Sequence, residues 1–448
     1  MFKTTFFKSV DIAPLIVFRI IFGFLVAMES FGAILTGWVK KVFIEPEFTF
    51  PFIGFEWLQP LPENGMYLYF AIMGILGIFI ITGFYYRISI AFYTLLWAGV
   101  YFMQKTSYNN HYYLLLLISF VMIFLPANQE KSLDVKLNRT IRKQTMPNWI
   151  RMFFIIMIGI VYTYAALAKF YPDWLDGTFT KNLLLTAPLF NCISKDSFIY
   201  DLFNQKWFYL LIAYAGIFYD LLIVPLLLFK RTRTIALISS LIFHLFNSIT
   251  LQIGIFPYFA LSFALFFYPP EKIRRLFLRD KEYITSQEHY NYQNRNVFYF
   301  LFIPFLTIQL LLPLRHHLIE GDVLWTEEGH RLSWRMMLRK RSGYISFRIV
   351  DRKTDQSHIY NHYDKLSSKQ HTQIATKPDF IWQFCQKIKS EYADRDISIY
   401  VNCKNAINEK KHLIFIDPEY DMAKAEWNYF THNEWILLHE PDKVFLKE

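Results

Sequence analysis

Residues Trp149 to Phe170 read WIRMFFIIMIGIVYTYAALAKF. A helix needs about 20 apolar residues to cross the hydrocarbon of a bilayer, so this run is long enough to span one. It ends on Lys169. An ionisable side chain on such a helix is costly and by default marks a functional site. The plainer reading is that the ammonium snorkels to the interface on its long stem.

Eight further apolar stretches surround it, at 12–36, 66–84, 88–104, 111–127, 207–229, 234–250, 253–268 and 296–314. The seventh and eighth of the nine are short, so they are either tilted or a broken pair buried among the others. The predicted fold is an α-helical polytopic membrane bundle of about nine transmembrane helices over residues 1–314. A small α+β extramembrane domain follows over residues 315–448. Composition agrees: 54% of the chain is hydrophobic and 19% charged, against about 45–50% and about 25% in soluble proteins. The first apolar run has no cleavage site after it and is expected to serve as the insertion signal.

The loops give the sidedness. Arg87 lies in the second connection, and Lys131, Lys136, Arg139, Arg142 and Lys143 lie in the fourth. Lys230, Arg231 and Arg233 are in the sixth, and Lys272, Arg274, Arg275, Arg279 and Lys281 in the eighth. The odd-numbered connections are poor in Lys and Arg. By the positive-inside rule the N-terminus is cytoplasmic, and everything after the ninth span is outside, periplasmic in a bacterium or lumenal in an endoplasmic reticulum. Topology thus accounts for the net charge of +10, and no nucleic-acid partner is expected. The spans show no chain of charges of the kind ion-coupled transport uses.

Three cysteines, Cys192, Cys385 and Cys403, make no disulfide framework and have no metal spacing. One bridge, Cys385 to Cys403, stays open if the domain faces an oxidising compartment. In that domain Gly343 to Val350 alternates like a strand, and Pro378 to Tyr392 has helical spacing. Ile397, Ile399 and Val401 alternate again, and Leu413 to Ile416 is a short strand candidate.

Under this topology His111, at the outer start of the fourth span, and Lys169, at the outer end of the fifth, lie on one face of the membrane. Consecutive spans, here joined by a loop of about twenty residues, are expected to be neighbours, so the two side chains can share a site. His244 and Asn247 stand at i and i+3 on the seventh span and share a face, which serves a polar wall or an interhelical hydrogen bond. Arg315, His316 and His317 follow the ninth span as a membrane-edge cluster. Adjacent histidines point apart on a helix, and no HExxH is present, so no metal is expected. Trp325 to Arg331 (WTEEGHR) is polar and aromatic, either a substrate rim or a packing loop. P-loop, GxGxxG and GxSxG signals are absent from the sequence. In a low-dielectric site desolvation disfavours an ammonium, which lets a lysine act as general base while an imidazole handles a proton or a developing negative charge.

Four stretches resemble the vitamin K-dependent γ-glutamyl carboxylase family. They are Asn109-Asn110-His111-Tyr112-Tyr113-Leu114; Ala168-Lys169-Phe170-Tyr171-Pro172-Asp173-Trp174; His244-Leu245-Phe246-Asn247-Ser248 with Ile253-Gly254-Ile255-Phe256-Pro257-Tyr258; and Trp325-Thr326-Glu327-Glu328-Gly329 with Ser333-Trp334-Arg335-Met336-Met337. Asp417-Pro418-Glu419 and Ala425-Glu426-Trp427 add to the match, which spans nearly the whole chain in the family's order. The resemblance implies oxygenation of a reduced naphthoquinone (vitamin K hydroquinone) to its epoxide with O2, coupled to CO2 addition at the γ-carbon of a peptidyl glutamate. Lys169 takes the place of the family's catalytic base and His111 that of its histidine beside the glutamate. Asn110, His244, Asn247 and Tyr258 would form the supporting wall, and Trp325, His330, Arg331 and Trp334 the glutamyl rim. Two departures bear on substrate: Arg335 stands where the animal motif is acidic, and Glu327-Glu328 add charges to that rim. The long C-terminal extension of the animal enzymes has no counterpart here, so propeptide docking is not implied. Two rivals remain, a quinol epoxidase without carboxylation and a non-catalytic membrane receptor or transporter.

Overall fold

The computed structural model describes residues 5–439 except 188, 189, 191, 252, 280–291, 293 and 294, so Lys281 of the last basic cluster lies outside the described residues. Each expected apolar stretch is helical. In chain order these helices are α1 (Ala13–Leu35), α2 (Gly65–Thr82), α3 (Tyr86–Met103), α4 (Asn110–Phe124), α5 (Asn148–Leu167), α6 (Lys206–Leu228), α7 (Arg233–Leu251), α8 (Phe256–Ser262) and α9 (Arg295–Leu318). The protein is a multi-pass membrane protein; the expected count of nine full crossings is not confirmed. Among the described residues six helices, α1, α2, α5, α6, α7 and α9, have the length and apolarity of a complete span. Helix α4 has 15 residues, which at 1.5 Å per residue is about 22 Å and short of the hydrocarbon thickness. Asn109 caps it, its side chain accepting from the Tyr112 amide at 2.7 Å.

Small residues let α1 and α2 close on each other. A Cβ on Gly23 would lie 2.6 Å from the Ile81 nitrogen, and one on Gly77 would lie 2.8 Å from Ala27 Cβ. Close backbone approach of this kind replaces the hydrophobic drive that a lipid solvent does not supply.

The basic connections gather at one end of the bundle, where β1 (Ser9–Asp11) pairs with β2 (Thr145–Pro147). There Arg274 makes paired contacts to Asp11 (2.6 and 2.8 Å) and to Glu130 (2.6 and 2.9 Å), all three side chains buried. Arg19, buried on α1, donates to the carbonyls of Ala127 at 2.8 Å and Lys131 at 2.7 Å. These guanidiniums staple the first helix to the fourth connection.

The other end carries the α+β domain. Its antiparallel sheet has the order β4 (Ser357–Tyr360), β3 (Arg341–Asp351), β5 (Ile397–Ile407), β6 (Leu413–Ile414), with β3 and β5 in register from Arg341↔Ile407 to Asp351↔Ile397. Helix α10 (Pro378–Glu391) buries Phe380, Phe384, Cys385 and Ile388 in a core with Phe347, Ile349, Ile399 and Val401. Cys385 and Cys403 are both free thiols in that core, so the bridge left open does not form. Burial raises both thiols, Cys403 to about 12.

The domain is docked by specific contacts. Phe380 stacks on Phe50 at 4.6 Å, Gln383 donates to the Pro51 carbonyl at 3.0 Å, and Asp173 receives Lys410 at 2.6 Å and Asn408 at 2.7 Å. Removing one partner of a buried charge cluster costs about 3–5 kcal/mol, because it strands the others. Arg274→Met is therefore expected to lower the unfolding temperature of the nanodisc-embedded protein clearly. Lys40→Ala, which breaks the exposed pair to Glu45, should change stability by no more than about 1 kcal/mol.

Candidate functional site

Helix α5 ends at Leu167, and the chain turns through Lys169 into a short helical turn at Pro172–Leu175. The turn points the Lys169 side chain back along α5, where Nζ donates to the Ala165 carbonyl at 3.1 Å. It also meets Asp220 Oδ2 of α6 at 2.5 Å and lies 5.2 Å from the Trp174 ring centroid. Both charged residues are only 6% exposed. The expectation of a lone desolvated amine is thus corrected: Lys169 sits in a buried pair with a carboxylate. An ammonium has three N–H groups, and these two acceptors leave one over. Further ionisable groups occur within the spans, although among the described residues they form no continuous chain of charges. Arg19 and Glu29 lie within α1 and Asp220 within α6, and the Tyr112 hydroxyl donates to Glu29 at 2.6 Å.

Lys169 and Asp220 line a cavity of about 110 Å³ that also receives His111, Tyr162, His244 and Asn247. Apart from Thr180 and Thr250, the rest of its wall is apolar or aromatic, including Trp174, Phe243, Phe246 and Phe256. The structure therefore brings the predicted lysine, both predicted histidines and Asn247 to one place. The His111 ring stacks on Phe256 at 3.6 Å. His244 is held through Nε2 by the hydroxyls of Tyr162 (2.9 Å) and Tyr219 (3.2 Å), and its buried Nδ1 has no hydrogen-bond partner among the described residues. A second apolar cavity, about 650 Å³, shares His111, Ile253, Phe256 and Met337 with the first and contains Glu29 and Tyr112.

A third cavity, about 460 Å³, lies between α4 and the α+β domain and has an opposite character. His111, Met336 and Met337 belong to its wall as well, so the imidazole stands where apolar and polar chambers meet. Asn110 also lines it, donating to the Arg335 carbonyl at 2.9 Å. Glu327 is ringed by Arg339, Arg341 (3.0 Å) and Lys377 (2.8 Å). Burial alone would raise Glu327; the charges of Arg339, Lys377, His330 and Arg341 overrule it and hold the carboxyl well below its usual range. Asp379 binds Lys105 and Arg331, each at 2.6 Å. Burial pushes the Lys105 and Lys377 ammoniums down to about 8, with Arg331 adding repulsion at both. Burial and Arg339 likewise hold His330 well below its ordinary value.

The segment from Glu327 to Met337 supplies much of this wall. Four of its non-glycine residues, Glu327, Leu332, Trp334 and Met337, have φ between 51° and 63°. Such backbone is strained and persists only when its surroundings fix it, a pattern concentrated at functional sites. The rim expectation is met only by His330 and Arg331, which line the cavity. Trp325 is buried instead on Phe415 with Nε1 donating to the Leu437 carbonyl at 2.8 Å. Trp334 is fully buried against Tyr113, ring centroids 4.9 Å apart. Glu328 faces away from the rim: it accepts from Asn433 at 2.7 Å and contacts His432 at 2.7 Å. Tyr258 lies outside the cavity wall, 47% exposed and hydrogen-bonded to Ser248 at 3.3 Å. Asp220 was missed, although the cost of an intramembrane charge that singled out Lys169 applies equally to a carboxylate inside α6.

Residues 7–271 match the HTTM domain family, and residues 294–442 match the family described as vitamin K-dependent gamma-carboxylase, lumenal domain. No solved structure matches the chain.

The two ends of the buried Lys169–Asp220 pair are coupled. Lys169→Met and Asp220→Leu are each expected to destabilise the nanodisc-embedded protein by about 3–5 kcal/mol, because each strands a buried charge. The double variant should recover most of that loss. Thermal unfolding of the four proteins measures the coupling, and additive losses would contradict it.

Proposed function

Because the chain belongs to the vitamin K-dependent γ-carboxylase family, we propose that it is a membrane carboxylase that converts peptidyl glutamate to γ-carboxyglutamate, driven by oxygenation of a reduced naphthoquinone. The observation that carries this reading is the meeting of an apolar chamber holding Lys169–Asp220 with a cationic chamber, His111 lining both. A γ-carbon proton is far too weakly acidic for any side-chain base, so the energy must come from elsewhere. A bound reduced naphthoquinone, on reaction with O2, supplies a base strong enough to take that proton.

The residues present fit such a group. The two adjoining apolar cavities offer aromatic and aliphatic walls for rings and an isoprenoid tail. Their polar end has spare capacity: the third N–H of Lys169 and the unpartnered Nδ1 of His244. Lys169, His244 and Asn247 would hold the quinol hydroxyls.

The chain's own part in the chemistry begins with a proton. Movement of the shared proton from Lys169 Nζ to Asp220 Oδ2 would leave a neutral amine, and rotation about its Cε–Nζ bond would turn the lone pair from Asp220 toward a bound hydroxyl, from which it accepts a proton. That exchange within a buried pair creates no isolated charge, which makes it cheap where water is scarce. His111, with the acidic peptide entering from the cationic side, faces the γ-carbon as its C–H bond breaks and its new bond to CO2 forms. Its imidazole stabilises the developing negative charge or returns a proton. The aromatic walls keep water from quenching the carbanion. The placement of the basic loops at the opposite end of the bundle supports a site at the non-cytoplasmic face of the membrane.

Purified protein in nanodiscs, given a reduced naphthoquinone, labelled CO2 and a glutamyl peptide, should place acid-stable label in the peptide and form epoxide in parallel. Lys169→Ala is expected to cut both by about 10²–10⁴-fold, the usual worth of a general base. His111→Ala should suppress labelling more than epoxide. Epoxide without label in the native protein would favour quinol oxygenation alone, and full epoxidation by Lys169→Ala would refute the assigned base.

A further inference from the structure

The cationic chamber carries more charge than its own carboxylates balance. Six cations, Lys105, Arg331, Arg335, Arg339, Arg341 and Lys377, line it. Against them stand Glu327 in the wall and Asp379 just behind it. The cluster is not at an open surface: the side chains of Lys105, Arg339 and Arg341, which pair with those carboxylates, are 2%, 4% and 5% exposed, and Arg331, Arg335 and Lys377 beside them are half-buried. Nor are the guanidiniums saturated. Arg335 Nε, Arg339 Nε and Arg341 Nη2 are buried with no hydrogen-bond partner among the described residues. Among the described residues Arg335 makes no ion pair with a carboxylate; Asp322 and Glu327 act on it only at longer range, and its Nη1 contacts His316 Nε2 at 3.4 Å. Burial and neighbouring cations lower both Arg335 and Arg341 to about 10, which reports the same crowding. Uncompensated buried charge is expensive unless a ligand neutralises it, and planar guanidinium groups suit carboxylate oxygens.

A single carboxylate leaves most of this surplus in place. We propose that the chamber is a dianion site, fitted to the geminal dicarboxylate side chain that γ-carboxylation of a glutamate produces. The inference rests on the carboxylase reading above and goes beyond it. The site binds its product side chain more tightly than its substrate side chain, and release of the carboxylated peptide becomes a slow step. His111 borders the same chamber, so the second carboxylate forms beside the charges that hold it. Arg335, Arg339 and Arg341 are the groups with free N–H capacity to receive it.

The test is equilibrium binding to the full-length protein in nanodiscs without quinol, using malonate and acetate as probes and calorimetry as the readout. Malonate is expected to bind at least about tenfold more tightly than acetate, the worth of one further charged hydrogen bond. Arg335→Gln should weaken malonate about tenfold while moving acetate much less. Lys377→Gln, at a partly exposed position with little risk to folding, should act in the same direction. Equal affinities for the two probes, or a malonate affinity indifferent to both substitutions, would overturn the dianion site. If the labelling assay succeeds while malonate shows no preference, this inference alone fails. If malonate is preferred but no label enters the peptide, the carboxylase reading fails and the assigned occupant goes with it.

Discussion

The short contact between Lys169 and Asp220 governs how the membrane half of the molecule works. A single ammonium at that depth would have to reach water, and a single carboxylate on α6 would have to be protonated or withdrawn. Together they are tolerated, and together they fix α5 against α6 at the level of His244 and Trp174. The pair also changes what the lysine can do. An isolated amine must lose its proton to solvent before it can act as a base, whereas here the proton has an acceptor in direct contact. Acid–base function in a dry site is then a matter of moving a proton within one hydrogen bond.

The second constraint is the division of polarity across His111. On one side lie Phe243, Phe246 and Phe256, and on the other the arginines of the segment from Glu327 to Arg341. A lipid-soluble reductant and an acidic peptide have no common solvent, so a reaction between them needs adjoining chambers rather than one mixed pocket. Docking of the α+β domain creates that adjacency. Asn110, next to His111 in sequence, donates to the Arg335 carbonyl, and the Leu332 amide donates to the Tyr108 hydroxyl at 2.7 Å. The junction between membrane and outer domain is therefore also the wall of the site, and the strained backbone from Glu327 to Met337 is held by it.

Much of this was legible along the chain because lipid imposes simple rules. The nine apolar stretches are all helical, and the basic loops do gather away from the outer domain, since length, hydropathy and Lys/Arg placement act locally. The number of full crossings was not legible, because α4 and α8 are apolar for packing inside the bundle rather than for reaching both faces. Lys169, His111, His244 and Asn247 converge because residues at helix ends on one face have few places to go. Trp325, Trp334 and Glu328 were misassigned to the rim for the opposite reason. A polar, aromatic loop gives no sign of which side chains turn inward, and the left-handed residues that bury Trp334 carry no glycine signature. The pairing of Lys105 with Asp379 joins residues far apart in the chain, and no local pattern announces it.

The two chambers also show why charge is tolerated so differently on the two sides of one imidazole. In the apolar chamber each charge has a partner: Lys169 has Asp220, and Glu29 has the Tyr112 hydroxyl. The Lys169–Asp220 pair has no net charge, which suits a site that must exclude water and admit an uncharged ring system. In the outer chamber the cations crowd around two carboxylates, and burial, with added repulsion from neighbouring arginines, lowers Lys105 and Lys377 to about 8. A structural cluster built only for stability would match its charges, since replacing surplus buried cations by apolar groups removes a desolvation cost. Under the dianion reading proposed above, that cost would be offset when an anion binds.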